Sequence, residues 1–103
     1  MVNFWIEKRS VSLEGDYFSI DQAAIALSVS CDFIARMLEM GIILYKGTME
    51  NPLIGQDEID RLEEVRRIHD DLGINWPGAA LIVDLLHENA KLTRELAIMR
   101  KQL

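Results

Sequence analysis

The stretch SIDQAAIALSVSCDFIARMLEMG, residues 19 to 41, contains the boundaries of two short helices. Ser19 is followed three residues later by Gln22, which is a capping box: each side chain bonds a free backbone N–H group at the helix start. Ser30 is a second N-cap residue, and Gly41 ends the second helix because glycine adopts the left-handed C-cap backbone without strain. Two capped helices with a short break between them predict a helix-turn-helix.

A β-hairpin is predicted directly after this helix pair. Residues 42–45 are a β-prone run, residues 46–52 are turn-forming, and Leu53 and Ile54 form the returning strand. A hairpin in this position has the shape of a wing. Upstream, residues 2–6 are predicted as a short strand and residues 7–17 as a loop or irregular hairpin.

A third helix is predicted from Asp57 to Leu72, ended by Gly73. Its apolar stripe consists of Leu62, Val65, Ile68 and Leu72. The opposite face carries one base, Arg67, among acids. These acids are the candidate partner-binding residues: Asp60, Glu63, Glu64, Asp70 and Asp71. An ordinary solvated face is the alternative, because exposed charges are usual on helices. In that case the helix-turn-helix face around Asp21, Asp32 and Glu39 is the better candidate for partner binding.

A fourth, long helix is predicted from about Trp76 to the C-terminus, with Pro77 in its first turn. It carries a heptad seam with a lone Asn at an a position, which predicts dimerisation through a coiled coil. The seam residues are Ile82, Leu85, Asn89, Leu92, Leu96, Met99 and Leu103. The alternative is that the seam packs on the chain's own core. Trp76 is expected to pack at the joint with the third helix, and an exposed partner anchor is the alternative.

Composition limits the class of protein. The chain has 103 residues and a net charge of −6, with four acids against two bases between residues 19 and 55, which disfavours DNA binding. One cysteine excludes an intrachain disulfide, and neither a signal peptide nor a membrane span is recognisable, so a cytoplasmic protein is expected. We expect a winged-helix-like domain at residues 1–75, followed by a long helix at residues 76–103 that packs on it and then dimerises.

No catalytic, metal or cofactor site is expected. His69 and His87 lie on different predicted helices without the usual ligand spacing. Cys31 is expected to be a small, partly buried residue, although its place in a helix first turn can lower a thiol pKa. The sequence contains no Gly-rich phosphate loop, nucleophile elbow or His-Glu metal motif, and an enzyme is therefore not expected.

A resemblance to a known family adds to this interpretation. Phe18-Ser19-Ile20 leading to Leu27-Ser28-Val29-Ser30, and then Gly41-Ile42-Ile43, resembles the DNA-binding half of MerR-type regulators. Residues 70–86, DDLGINWPGAALIVDLL, and residues 92–96, LTREL, resemble a divergent branch, the CbpM chaperone-modulator proteins. The resemblance covers roughly residues 17–103. It implies a protein that binds the J-domain of a CbpA-type co-chaperone and blocks its engagement of the DnaK chaperone.

Departures from MerR regulators agree with that implication. Phe33-Ile34-Ala35 stands where those regulators tend to have Thr-Leu-Arg, and residues 51–54, NPLI, replace a wing Gly-Tyr-Arg. The resemblance therefore implies a mainly α winged helix-turn-helix fold with a small β-wing and a long coiled-coil-forming helix, in which the arginines that would meet DNA are absent. A dimeric DNA-binding regulator is the alternative; neither duplex DNA nor a membrane is the expected partner.

Overall fold

The computed structural model describes residues 17–102, which form four helices and a three-stranded sheet. In chain order the elements are β1 (Tyr17–Phe18), α1 (Ile20–Leu27), α2 (Cys31–Glu39), β2 (Lys46–Gly47), β3 (Pro52–Gly55), α3 (Gln56–Leu72) and α4 (Trp76–Gln102). The strand predicted at residues 2–6 lies outside the described residues, as do residues 7–16 of the predicted loop and Leu103. Residue 17, the last of that predicted loop, belongs to β1 instead.

The predicted helix boundaries of α1 and α2 are confirmed. The backbone N–H of Gln22 donates to Ser19 Oγ at 3.2 Å, and the backbone N–H of Ser19 donates to Gln22 Oε1 at 2.9 Å, which completes the capping box. Ser30 accepts from the backbone N–H of Phe33 at 3.1 Å. Gly41, with φ of +75°, follows the last residue of the α2 turn, where only glycine is free of strain.

The prediction of a strand at residues 42–45 is wrong, because the structure has no strand there. The backbone N–H of Leu44 donates to Glu58 Oε1 at 2.9 Å, and the Ile42 carbonyl accepts from Arg61 Nε at 2.9 Å. Side chains of α3 thus form hydrogen bonds with backbone groups that, in a strand, would bond to the neighbouring strand. The first hairpin strand is β2 instead, and the chain turns between Thr48 and Asn51 before β3.

The sheet has the order β1-β3-β2 and is antiparallel throughout. Tyr17 lies opposite Gly55 in one pair of strands, and Lys46 lies opposite Leu53 in the other. The central strand β3 confirms the predicted return at Leu53 and Ile54, and Ile54 is fully buried.

The described residues divide into two compact units, one ending at Glu63 and the other beginning at Glu64, so the division falls within α3. The buried hydrophobic residues that form the core of the first unit are Ala23, Ala24, Leu27, Ile34, Met37, Ile42, Ile43, Ile54, Ile59 and Leu62. Buried residues of the second unit are Val65, Ala79, Ala80 and Val83. Leu72 is 59% exposed, so the predicted apolar stripe of α3 does not remain buried to the end of the helix.

Candidate partner-binding surfaces

The acidic side of α3 faces solvent along most of its length. Asp60, Glu63, Asp70 and Asp71 are exposed, and Glu64 is half-buried. The helix places these residues on the side opposite the buried Leu62 and Val65, as the sequence pattern predicts. We call this surface, made of Asp60, Glu63, Glu64, Asp70 and Asp71, the acidic face.

Several acids of this face already have neighbours in the same chain. Asp60 accepts from Gln56 Nε2 at 2.9 Å, one turn earlier in the helix. The Glu64 carboxylate lies 3.1 Å from His87 Nε2 on α4, and Asp70 lies 3.1 Å from His69 Nδ1. Glu64 therefore helps to hold α4 beside α3, and its substitution changes more than surface charge. Asp60 and Glu63 are better suited to a test of binding.

The predicted seam of α4 is exposed over most of the described helix. Leu85, Leu92, Leu96 and Met99 are 58%, 53%, 49% and 60% exposed. Asn89 is also exposed, and Ile82 at the start of the seam is half-buried. Leu103 lies outside the described residues.

The buried residues of α4 lie on the other side of the helix. At about 100° per residue, Ala79, Ala80 and Val83 share one side, whereas Leu92 and Leu96 lie on the opposite one. The helix thus has one face buried in this chain and a second apolar face that stays exposed. The alternative that the whole seam packs on the chain's own core is therefore wrong for Leu85, Leu92, Leu96 and Met99.

A groove lies within the first unit, along the exposed face of α2. It has a volume of about 550 Å³. Its uncharged lining comes from α1, α2 and the segment around the hairpin, namely Ile20, Ala35, Leu38, Tyr45, Met49 and Pro52. Asp32, Arg36 and Glu39 supply its charged groups. We call this surface the α2 groove. The sequence pattern did not predict a groove here, although Asp32 and Glu39 belong to the helix-turn-helix face that is the second candidate for partner binding.

The side chains of α2 also bear on DNA binding. Ile34 is fully buried and Phe33 half-buried, so these two residues serve mainly the core. Ala35 is exposed on the side that also carries Asp32 and Glu39. Arg36 follows Ala35 directly and is an exposed cation beside these two acids.

Trp76 packs at the start of α4, which confirms its predicted place at the joint. Its indole ring stacks on His69 of α3, with 3.7 Å between ring centroids and 5° between ring planes. Gly73, with φ of +67°, ends α3, and Asn75 accepts from the backbone N–H of Gly78 at 2.8 Å to cap α4. The short connection between α3 and α4 is therefore held by a ring stack and a cap.

Cys31 is exposed, so its expected partial burial is wrong. Its Sγ donates to Asp21 Oδ1 at 3.0 Å. This hydrogen bond raises the pKa of the Cys31 thiol, and desolvation and the negative charges of Asp21 and Asp32 act in the same direction. Asp21 and Asp32 thus oppose the decrease in thiol pKa that a helix N-terminus favours.

Within residues 17–102 no group of three or more His, Cys, Asp or Glu side chains is arranged to hold a metal ion. None of the described helices combines the length and the apolar character that a membrane span requires.

Comparisons with known proteins give the family. Residues 5–101 match the family described as MerR HTH family regulatory protein. A protein named chaperone modulatory protein CbpM from Pseudomonas entomophila (strain L48) is 28% identical over 76 residues, which cover 73% of this chain and 75% of that protein. The CbpM of Pseudomonas putida (strain W619) is 25% identical over the same shares of both chains. The chain therefore belongs to the MerR HTH family of regulatory proteins, within which it is similar to the CbpM-type chaperone modulatory proteins.

Proposed function

We propose that this protein is a chaperone modulator of the cytoplasm, which binds the J-domain of a CbpA-type co-chaperone and blocks its engagement of the DnaK chaperone. The observation that carries the proposal is the similarity to proteins named chaperone modulatory protein CbpM across 73% of the chain. The role is one of binding and regulation rather than catalysis.

The acidic face supports a particular mode of binding. J-domains generally present a basic helix to an acidic surface of DnaK, so a competitor for that helix should itself be acidic. Asp60, Glu63 and Asp71 are exposed acids on one side of α3, and they meet this requirement. Such complementarity acts mainly on association rate and specificity, and it weakens as salt shortens the Debye length from ~10 Å at 0.1 M to ~3 Å at 1 M.

A DNA-binding regulator is the second candidate, favoured by the family description itself. In that interpretation α1 and α2 form a helix-turn-helix and the β2–β3 hairpin forms its wing. The exposed side of α2 argues against it, because Arg36 is accompanied by Asp32 and Glu39 and the chain carries a net charge of −6. Phosphate would be repelled by such a surface.

The J-domain proposal is tested with two double variants of equal charge change. The first is Asp60→Lys with Glu63→Lys on the acidic face, and the second is Asp32→Lys with Glu39→Lys on α2. We expect the first to weaken J-domain binding by at least about tenfold and the second to change it little, because only the first removes the proposed binding residues. Isothermal titration calorimetry measures the affinity, and circular dichroism verifies that each variant is folded.

Three outcomes would contradict the proposal or the place it gives to the binding site. If the acidic-face variant and the unsubstituted protein bind the J-domain with equal affinity, the acidic face is only a solvated surface. Sub-micromolar binding of mixed-sequence duplex DNA, measured by mobility shift, would favour the regulator instead. A stronger effect of the Asp32 and Glu39 pair would move the J-domain site to α2.

A further inference from the structure

The α2 groove combines exposed apolar side chains with acidic groups at its rim. Met49 is 81% exposed and Tyr45 37% exposed, and both line the groove. Asp32 and Glu39 lie two turns apart along α2, on the side that faces the groove. Large apolar side chains exposed together in a concave surface are typical of a site where another molecule binds.

A small side chain, Ala35, lies between Asp32 and Glu39 on the exposed side of α2 and lines the groove with them. The same surface carries two acids and one base, so the groove favours an occupant with a positive charge.

The sheet edge at β2 does not offer an alternative means of binding. This strand contains only Lys46 and Gly47. An added strand obtains its affinity from a row of main-chain hydrogen bonds, and two residues provide too few. Side-chain packing in the groove is therefore the more favourable way to bind a peptide.

We propose that the α2 groove binds an amphipathic helix of a partner protein, with an apolar ridge against Met49 and Tyr45 and basic side chains beside Asp32 and Glu39. This is the helix-in-groove mode, in which anchors at i, i+3, i+4 and i+7 enter an apolar groove. The lining of the groove shares no residue with the acidic face. The groove proposal therefore stands whether or not the acidic face binds a J-domain.

The experiment uses the full chain and a labelled synthetic peptide of about 18 Leu and Lys residues, with Leu at the anchor positions of one face. Fluorescence anisotropy at 0.1 M salt measures its affinity. We expect Met49→Ala to weaken binding about tenfold, because it removes a buried anchor contact. The matched control is Ile25→Ala, which truncates a side chain of nearly the same exposure, 79%, outside the groove. This control should bind within about twofold of the unsubstituted protein.

A second pair of variants separates the groove from general attraction to an acidic protein. Asp32→Asn with Glu39→Gln removes two charges at the groove, and Glu88→Gln with Glu95→Gln removes two charges from exposed positions of α4, outside both the groove and the acidic face. The first pair should weaken peptide binding several-fold and reduce its salt dependence, whereas the second should leave binding nearly unchanged.

Three results would overturn the groove proposal. The first is no peptide binding at tens of micromolar protein, the second is an equal effect of the two charge pairs or of Met49→Ala and Ile25→Ala, and the third is displacement of the peptide by sub-micromolar duplex DNA. Loss of J-domain binding in the acidic-face variant with normal peptide binding would leave both proposals standing. The failures of the two proposals are thus distinguishable.

Discussion

At the scale of the single residue, the thiol of Cys31 is governed by its contact with Asp21. The hydrogen bond from Sγ to the Asp21 carboxylate keeps the proton on sulfur and raises the pKa of Cys31. Asp21→Ala should therefore lower this pKa toward its ordinary value and increase the thiolate fraction at pH 8. The measurement is the pH dependence of the rate of alkylation by iodoacetamide, which we expect to be faster in the variant because thiolate is the reacting form.

Asp32→Asn is the matched control, since the Asp32 charge is the last and smallest of the causes that raise the pKa of Cys31. Equal acceleration in both variants would show that general negative charge, rather than the hydrogen bond, is responsible.

The raised pKa of Cys31 also makes the stability of the fold depend on pH. A folded-state pKa above the unfolded one stabilises the fold fully at neutral pH, and this contribution is lost as pH rises through the raised value.

At the scale of the element, Glu58 determines the conformation of the segment after α2. Its carboxylate accepts from the backbone N–H of Leu44. Glu58→Ala removes this acceptor and should lower the free energy of unfolding by about 0.5–1.5 kcal/mol. Urea denaturation measures the change. Glu58→Gln keeps an acceptor oxygen at the same position and should lose less; an equal loss in both variants would assign the effect to the charge in the first turn of α3.

The same elements show which parts of the fold follow from local sequence. The caps at Ser19 and Ser30 were predictable because their hydrogen bonds join residues three positions apart. The conformation of residues 42–45 was not, because Glu58 and Arg61, which bond this segment, lie 14 and 19 residues from the atoms they contact. β-propensity depends strongly on such context.

At the scale of the whole chain, the two candidate surfaces differ in how far the sequence reveals them. The acidic face belongs to one helix, so its periodicity alone places the five acids together. The α2 groove takes its lining from α1, α2 and the hairpin, and folding brings these separate parts of the chain together. The predicted domain boundary after residue 75 stays a prediction.

Self-association through α4 is the remaining prediction at this scale. The exposed seam residues Leu85, Leu92, Leu96 and Met99 repeat at heptad a and d positions, opposite the side of the helix that is buried in this chain. We expect a homodimer at tens of micromolar. Asn89 at an a position should pair with its symmetry mate and favour a parallel two-stranded register, at some cost in stability.

The test of this dimer uses two Asp substitutions on the same helix. Leu96→Asp puts a charge into the seam and should give a monomer in sedimentation equilibrium, because two like charges would be desolvated at one coiled-coil layer. Ile98→Asp is the matched control: Ile98 is 57% exposed and Leu96 49%, but Ile98 lies off the seam and should leave the dimer intact. A monomeric unsubstituted protein, or dissociation by Ile98→Asp alone, would contradict the coiled coil. If both variants remain dimers, a surface other than the α4 seam joins the two copies.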